Sequence, residues 1–461
     1  MSLRATQQSS PKAHSLQREV FETPRVSEYF NARELTMLTG QPLQGFAAVL
    51  QKELGDNALD AAESADLAPE LFFRVSTAGE MLTISITDNG PGIPATTVEK
   101  ALDFSVRVSD KAAYSSPTRG AQGNALKTVF GIPHALGGRE PIIIEALGVR
   151  HAIRAWLDPA DQLHIEHQKN KSSRKGGTLV SVTIPSQGQD LEALRWARAI
   201  ALFNPHALVK INVSESGINH AREGAPKTCE IYKPLVKYPG EWTKWLPSDP
   251  IPAHWYKEES LQRLIFLTIA KNSRDGNRDL PLGEFIRQFR GLSSTAKARE
   301  IAELFPNIRH LPDFEAQEAT IPVLLKALQQ RSRPVPAKML GLIGEAQFRA
   351  RFEEWYGVQR FWYSKHVGED DGLPLVIETA LAQTKSEGKH RFFGLNFSPT
   401  FGDPFRDSRL HLSDDLEAWS GVVGALDQAY VGDFSHAFAL HVTRPRFMYR
   451  DRGKSTITAE D

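Results

Sequence analysis

Residues 53–60 read Glu-Leu-Gly-Asp-Asn-Ala-Leu-Asp and residues 88–93 read Asp-Asn-Gly-Pro-Gly-Ile, and these two segments decide the fold. The first segment lies in the run 46–62. Leu50, Leu54, Ala58 and Ala62 recur there at helical spacing, so we predict an amphipathic helix. Glu53, Asn57 and Asp60 then lie one turn apart, on the face next to the apolar stripe. Carboxylate and amide oxygens in this arrangement suit a hydrated Mg²⁺ beside a phosphate chain, because Mg²⁺ takes few protein ligands and keeps its waters.

The second segment follows the alternating run 82–86, which predicts a β-strand. Gly90 and Gly92 would let the backbone approach a ligand closely. Asp88 would then be a buried acceptor for an exocyclic amine. Taken alone, each segment has an ordinary interpretation, as an amphipathic helix and as a hairpin-like turn. Their occurrence together in this order favours a nucleotide site.

Composition excludes several classes of protein. A chain of 461 residues is too long for one ordinary core, so we expect two or three domains. The single cysteine, Cys229, excludes an intramolecular disulfide framework and a multi-cysteine zinc site, and it indicates a cytoplasmic protein. The 55 basic residues balance 55 acidic ones, so the chain as a whole gives no argument for nucleic-acid binding. No run approaches the roughly 18 apolar residues of a membrane span, and we expect no membrane association.

The pattern along the chain predicts an α/β protein with three parts. Residues 1–24 are rich in Ser, Gln and Pro, which is typical of a flexible arm. A short helix within 26–40 precedes strand-like runs at 71–75, 82–87, 142–147, 151–157, 162–166 and 178–184, with helices at 46–64, 96–103 and 123–136. These elements predict a mixed, largely antiparallel sheet covered on one face by helices, a two-layer α/β sandwich. A helix at 191–203 and a strand at 208–213 follow.

The second half changes character. Helical runs occupy 257–271, 281–290, 293–304 and 320–330, with few strands between them. A second α/β pattern begins near Met339, with strands at 375–380, 392–397 and 437–442 and a helix at 413–429.

A Gly-rich turn within residues 107–127 runs directly into a helix, where unpaired backbone N–H groups and the positive end of the helix dipole attract an anion. Lys111 and Lys127 flank this turn, so it is a plausible phosphate lid, although an ordinary surface loop fits the pattern equally well. Thr178 follows Gly176-Gly177 at the head of a strand. Its hydroxyl would support the Asp88 carboxylate if the two strands are neighbours, and a plain strand start is as common.

The order of these four segments resembles the GHKL ATPase superfamily, which includes gyrase-type topoisomerases, the heat-shock chaperone of ninety kilodaltons, mismatch-repair MutL proteins and histidine kinases. The resemblance implies ATP and Mg²⁺ as cofactors and a Bergerat-type ATPase sandwich. It implies that Glu53 orients the attacking water, that Asn57 binds Mg²⁺ and that Asp88 recognises adenine. It places the following further residues at the nucleotide: Asp60, Gly90, Gly92, Lys111, Gly120, Gln122, Gly123, Asn124, Ala125, Leu126, Lys127 and Thr178. The pair Asn124-Ala125 stands where many relatives carry another lid glycine.

Four later segments resemble the B subunit of DNA topoisomerase VI, a type IIB enzyme. They are the run 195–211, the run 282–297, the strands 375–380 and 394–397, and the segment 441–455. The resemblance implies a helix-two-turn-helix-like domain and then a transducer domain, whose loop lysine reaches back to the γ-phosphate. Lys454 is the candidate for this switch lysine, and a solvated charge near a chain end is the alternative.

The expected domains are therefore an arm (1–24), a GHKL ATPase domain (25–230), a helical helix-two-turn-helix-like domain (231–335) and a transducer-like domain (336–461). In the family a long helix usually follows the transducer loop and docks the DNA-cleaving subunit. The sequence ends at Asp461, so we expect either a truncated chain or a protein without that docking helix.

The resemblance implies a homodimer formed on ATP binding, a topoisomerase VI A-like cleaving partner and double-stranded DNA. A related GHKL switch in bacterial genome maintenance or anti-phage defence, without topoisomerase activity, is the alternative. A histidine kinase is disfavoured because only His14 precedes the ATPase segment. A DNA contact would come from the basic residues of the helical region, which equally suit a solvated helix face: Lys271, Arg274, Arg278, Arg287, Arg290, Lys297 and Arg299.

Overall fold

The computed structural model describes residues 25–104, 114–119, 125–190, 192–216, 227–404, 434–447 and 449. The predicted arm, most of the Gly-rich turn, the helix predicted at 413–429 and Lys454 lie outside these residues. The helices are α1 (Ala32–Thr39), α2 (Phe46–Ser64), α3 (Ala95–Ala101), α4 (Ala125–Ala135), α5 (Ala193–Phe203), α6 (Glu258–Asp275), α7 (Leu282–Ile286), α8 (Thr295–Ala302), α9 (Ile321–Arg331) and α10 (Glu345–Tyr356).

The strands of the first sheet are β1 (Glu70–Ala78), β2 (Met81–Thr87), β3 (Ile142–Ala146), β4 (Val149–Leu157), β5 (Leu163–Lys171), β6 (Thr178–Pro185), β7 (Leu208–Ser216) and β8 (Lys227–Tyr232). Their order across the sheet is β5-β4-β3-β6-β2-β1-β7-β8. Only the β1–β7 pair is parallel among the described strands of this sheet. The predicted mixed, largely antiparallel sheet is therefore confirmed.

Helices α2, α4 and α5 cover one face of this sheet. The residues Leu50, Leu54, Ala58 and Ala62 of α2 are all buried in the core beneath them, as the predicted apolar stripe requires. Along β2 and β6 every second residue is buried, while the opposite face carries hydroxyl pairs such as Ser85 with Ser181, 2.8 Å apart. One apolar and one more polar face make a two-layer sandwich, which confirms the predicted fold class.

The helical part forms a second core. Helices α6 to α9 bury residues such as Leu264, Phe285, Phe289 and Leu324 together. The predicted helices at 281–290 and 293–304 are shorter than expected, because α7 ends at Ile286 and α8 spans Thr295–Ala302. Within the described residues, no helix is long and apolar enough to cross a membrane.

The C-terminal α/β unit consists of α10 and a five-stranded sheet built from β9 (Val358–Asp370), β10 (Leu373–Thr384), β11 (Lys389–Leu395), β12 (Ser398–Pro399) and β13 (His436–Thr443), in the order β12-β11-β13-β10-β9. Helix α5 of the first unit packs its Leu202 and Phe203 into the core of this C-terminal unit, beside Phe348 and Phe397. The turn between β11 and β12 therefore lies directly against the helix layer of the first sheet.

Candidate functional site

Helix α2 presents the first group of predicted site residues. Its apolar side is buried against the sheet, so Glu53, Asn57 and Asp60 lie at the margin of the helix layer and are each partly exposed. The side chain of Glu53 is 24% exposed, which leaves its carboxylate within reach of a ligand. The structure therefore places these three residues together on one helix, as the spacing predicted.

The ammonium group of Lys52 joins two carboxylates of the same helix. Its Nζ lies 3.1 Å from Glu53 Oε1 and 3.0 Å from Asp56 Oδ2. Burial opposes the charged form of Lys52, but Asp56 and Glu53 outweigh it and raise the pKa of Lys52, so the side chain stays protonated. Burial raises the pKa of the Asp56 carboxyl, against the charges of Lys52 and Arg119. Sequence reasoning missed both Lys52 and Asp56.

Asp88 lies at the end of β2, next to the start of β6. Its Oδ1 accepts hydrogen bonds from the backbone N–H groups of Gly90, at 2.8 Å, and Thr178, at 3.0 Å. The Asp88 N–H in turn donates to the Thr178 carbonyl at 2.9 Å. Burial raises the pKa of the Asp88 carboxyl, while the two N–H donors oppose that shift. Both backbone donors therefore bind Oδ1 and orient the carboxylate. The other oxygen, Oδ2, takes part in neither hydrogen bond.

Glycines allow this close backbone packing. Gly177 has a φ of +65°, and a Cβ there would lie 2.0 Å from the Asp88 carbonyl oxygen. A Cβ on Gly90 would lie 2.9 Å from the Ala61 Cβ, where the turn meets α2, and Gly92 has a φ of +91°. Gly177 is a site residue that the prediction omitted, although the Gly-Gly-Thr sequence carried the signal. Thr178 holds Asp88 through its backbone N–H, whereas its buried hydroxyl, which sequence reasoning had singled out, has no hydrogen-bond partner among the described residues.

Lys127 lies in the first turns of α4 and is buried. Its Nζ donates to the Asp103 carbonyl and lies over the rings of Tyr29 and Phe104, at 5.9 and 5.7 Å from their centroids. A phosphate contact by Lys127 would require the ammonium group to leave this position. Leu126 packs against the core of the first unit. Lys111, Gly120, Gln122, Gly123 and Asn124, and the side chain of Ala125, lie outside the described residues.

A mostly buried group of charged and polar side chains lies at the C-terminal end of α2, and sequence reasoning missed it. We name it the Arg119 cluster, and its members are Asp60, Glu63, Arg119, Asn204, His206 and Lys244. The Arg119 guanidinium binds both oxygens of Glu63, at 2.7 and 3.1 Å, and Asp60 Oδ1 at 3.0 Å. Lys244 Nζ and His206 Nε2 also bind Glu63, at 2.6 and 2.9 Å. Four donor contacts thus converge on one buried carboxylate.

The charges of this cluster shift the pKa values of its members. Burial opposes ionisation of Glu63, but Arg119, Lys244 and His206 hold the pKa of its carboxyl well below the ordinary value. Burial lowers the pKa of Lys244 to about 8 and that of His206 to about 4, so His206 is neutral near neutral pH. Asp60, predicted to contact the nucleotide, pairs with Arg119 here, and its contact with a ligand stays a prediction.

The Arg119 cluster also reaches the C-terminal α/β unit. The carbonyl of Phe397 accepts hydrogen bonds from Arg119 Nε at 3.2 Å and from Asn204 Nδ2 at 3.0 Å. The N–H of Phe397 donates to His441 Nε2 at 3.0 Å. The turn between β11 and β12 is therefore fixed on one side by α2 and α5 and on the other by β13.

Comparison with known proteins agrees with this geometry. Residues 47–188 match the family described as "Histidine kinase-, DNA gyrase B-, and HSP90-like ATPase". That range contains α2, the Asp88 turn and the start of β6. Residues 47–188 form a GHKL ATPase domain.

The chain is also similar to B subunits of type 2 DNA topoisomerase 6. The protein of Archaeoglobus fulgidus is 35% identical over 231 residues, 45% of this chain and 36% of the relative. That of Natronomonas pharaonis is 26% identical over 196 residues, 39% of this chain and 24% of the relative. The matched segments thus span about a quarter to a third of these relatives' length.

The 43K ATPase domain of Thermus thermophilus gyrase B, in complex with an aminocoumarin, is a structural relative with 12% identity and a TM-score of 0.34, over 92% of this chain and 82% of that one.

Proposed function

We propose that the chain is the ATP-binding and ATP-hydrolysing subunit of a type IIB topoisomerase-like complex, in which two copies dimerise when ATP binds. The observation that carries this proposal is the Asp88 carboxylate, held by the N–H groups of Gly90 and Thr178 inside a GHKL domain. The likeness to the B subunits of topoisomerase 6 supports the choice among GHKL proteins.

The base of ATP binds at Asp88 in this proposal. Oδ1 is occupied by two backbone donors, so Oδ2 is the oxygen that accepts the exocyclic amine of adenine. Gly177 lies close to the Asp88 carbonyl and Gly90 lies close to α2. Neither position has room for a side chain beside the pocket. A guanine, which presents a carbonyl at that position, would leave two acceptors facing each other and would be rejected.

The phosphates lie along α2. Asn57 fits a Mg²⁺ ion because this residue, whose side chain carries an amide oxygen, is partly exposed on the helix face. Among the described residues, no group of three or more His, Cys, Asp or Glu side chains is placed to hold a metal ion. Mg²⁺ needs few protein ligands because it keeps most of its waters. When bound, the ion would neutralise charge on the phosphates.

Hydrolysis depends on Glu53 in this proposal. Its carboxylate is partly exposed one helical turn before Asn57, where it orients a water for in-line attack on the terminal phosphate. Lys454 acts as the switch lysine, and Lys111, Gly120, Gln122, Gly123, Asn124, Ala125 and Leu126 line the phosphates. These roles rest on the sequence resemblance.

DNA and a topoisomerase VI A-like subunit are the proposed partners. Several basic residues of the helical part are already engaged, which reduces the charge available to phosphates: Arg278 pairs with Glu284 at 2.7 Å and Arg299 with Glu303 at 2.9 Å. Arg287 and Lys297 donate to backbone carbonyls through part of their donor set. Charge reversal at Arg287 and Lys297 should weaken DNA binding uniformly across sequences and reduce its salt dependence.

Two measurements test the proposed function. Sedimentation with Mg²⁺ and a non-hydrolysable ATP analogue should show a dimer, and the chain without the analogue should sediment as a monomer. Glu53→Gln should abolish ATP turnover while the analogue-dependent dimer persists. An analogue that binds without dimerisation would favour a GHKL switch without a gate, and turnover retained in Glu53→Gln would remove Glu53 from its role.

A further inference from the structure

The first half of α2 holds an ion-pair arrangement that the proposed function does not use. One ammonium group, Lys52 Nζ, is shared between Glu53 Oε1 and Asp56 Oδ2 at nearly equal distances of 3.1 and 3.0 Å. Glu53 is the proposed water-orienting residue, whereas Asp56 is buried. The position of the Glu53 carboxylate therefore depends in part on how strongly Asp56 attracts the same ammonium group.

Ser398 of the C-terminal α/β unit affects how Lys52 is shared between Glu53 and Asp56. Its Oγ donates to Asp56 Oδ2 at 2.6 Å, the same oxygen that binds Lys52. The other oxygen, Asp56 Oδ1, is buried and has no hydrogen-bond partner among the described residues. A donated hydroxyl proton reduces the charge that Oδ2 offers to Lys52, which leaves the ammonium group more strongly paired with Glu53.

The backbone around Ser398 is fixed by the contact between the two units. Asn396 and Phe397 both have left-handed backbones, with φ of 49° and 64°. Such a conformation is unfavourable for a side chain as large as phenylalanine and persists only where the surroundings determine it. Arg119 and Asn204 bind the Phe397 carbonyl and His441 accepts from its N–H, so the Ser398 hydroxyl reaches Asp56 when the C-terminal unit is docked.

We propose that Lys52 is a positioning residue for Glu53, and that Ser398 of the C-terminal α/β unit controls Lys52 through Asp56. This inference rests on the proposed role of Glu53 in ATP hydrolysis. It makes the C-terminal unit a part of the hydrolytic site: docking of the β11–β12 turn strengthens the Lys52–Glu53 pair that helps to orient Glu53, and undocking weakens that pair. ATP binding itself, at Asp88, does not depend on this contact.

The test is a comparison of ATP turnover with ATP-analogue affinity. Lys52→Met keeps the length of the side chain and removes its charge, so we expect kcat to fall about tenfold while the Kd of the analogue changes less than about twofold. Lys52→Arg should retain most of the activity. Ser398→Ala should lower kcat by about threefold, because it removes one hydrogen bond of modest net strength. Ser398→Thr keeps the hydroxyl and should not lower kcat. Thr400→Ala is the matched control, because its hydroxyl binds Gly402 rather than α2.

A double-mutant cycle makes the test independent of general destabilisation. In the Lys52→Met background, Ser398→Ala should have no further effect on kcat, because Ser398 acts only through Lys52. Independent, multiplying effects would overturn the inference, as would a kcat in Lys52→Met that is unchanged or increased. Turnover retained in Glu53→Gln would overturn the proposed function instead. If Glu53→Gln is inactive but Lys52→Met is fully active, the inference is overturned and the proposed function stands.

Discussion

The base pocket at Asp88 and the Arg119 cluster both border the C-terminal half of α2, but they are built on different principles. The pocket uses backbone N–H groups, glycines and one carboxylate, all from two neighbouring strand ends, residues 88–92 and 177–178. The Arg119 cluster uses buried charged side chains from segments that span residues 60–244, and it binds the backbone of Phe397. Substitutions that add side-chain volume should therefore disturb the pocket, and substitutions that remove a charge should disturb the cluster.

The two regions should therefore affect different properties of the molecule, one the affinity for ATP and the other the free energy of unfolding. A ligand pocket assembled from backbone donors needs no ion pair to hold its form, so its failure should appear mainly in ATP affinity, with a smaller loss of stability where the backbone is strained. Buried charges are expensive when unpaired, so failure of the cluster should appear in the free energy of unfolding. Each prediction that follows changes one region while the other stays intact.

The largest expected effect is on stability and comes from Arg119→Met. It leaves the Glu63 and Asp60 carboxylates with fewer partners, and we expect about 3–5 kcal/mol less free energy of unfolding. Arg299→Ala, which removes an exposed pair with Glu303, should change it by less than about 1 kcal/mol. Urea denaturation measures both, and equal losses in the two variants would contradict the distinction.

The next effect is on the base pocket and comes from Gly177→Ala. The added Cβ would meet the Asp88 carbonyl oxygen at 2.0 Å in a left-handed backbone, so the turn must shift. We expect ATP-analogue affinity to fall at least about tenfold and stability by about 1–3 kcal/mol. Gly176→Ala is the control, because a Cβ there meets nothing within 4 Å. Calorimetric titration should separate the two variants, and equal affinities would refute the close-approach argument.

A smaller effect concerns pH and His206. Its pKa is lowered from 6.5 to about 4 by burial, so the unfolded chain binds more protons in that window and stability falls as pH drops from 6.5 to 4. We expect the His206 contribution to this loss to be roughly 2–3 kcal/mol. His206→Gln keeps a donor for Glu63 and should remove this part of the slope, whereas exposed His310→Gln should not. Thermal unfolding across this pH range measures it, and identical slopes would contradict the assignment.

Much of the pocket was predictable from sequence because its parts are local. Helix α2 was fixed by apolar spacing, β2 and β6 by alternation, and Asp88 with its glycines by their position after a strand. Antiparallel pairing of β2 with β6 then brings Thr178 beside Asp88 without further information. Gly177 could have been found by the same reasoning, since a glycine pair before a strand indicates a special backbone position.

The Arg119 cluster was not predictable, because its contacts join residues 56 to 278 positions apart in sequence. No spacing rule connects Glu63 with Arg119 or Phe397, and a lone charged residue in a sequence is usually solvated. Strand β9 was missed because it is an edge strand with many polar, exposed positions. Helix α10 was missed although Phe348, Phe352 and Tyr356 recur every four residues and Gly357 follows them.

The measurement that tests the account most directly is a calorimetric titration of a non-hydrolysable ATP analogue with Mg²⁺ into the wild-type chain and into Asp88→Asn. Asparagine keeps Oδ1 for the N–H groups of Gly90 and Thr178, and it replaces Oδ2 by an amide donor that faces the adenine amine. We expect the wild-type chain to bind the analogue and Asp88→Asn to bind it about tenfold to a hundredfold more weakly, with an unchanged free energy of unfolding. Equal affinity of the two proteins, or absence of binding by the wild-type chain, would contradict it.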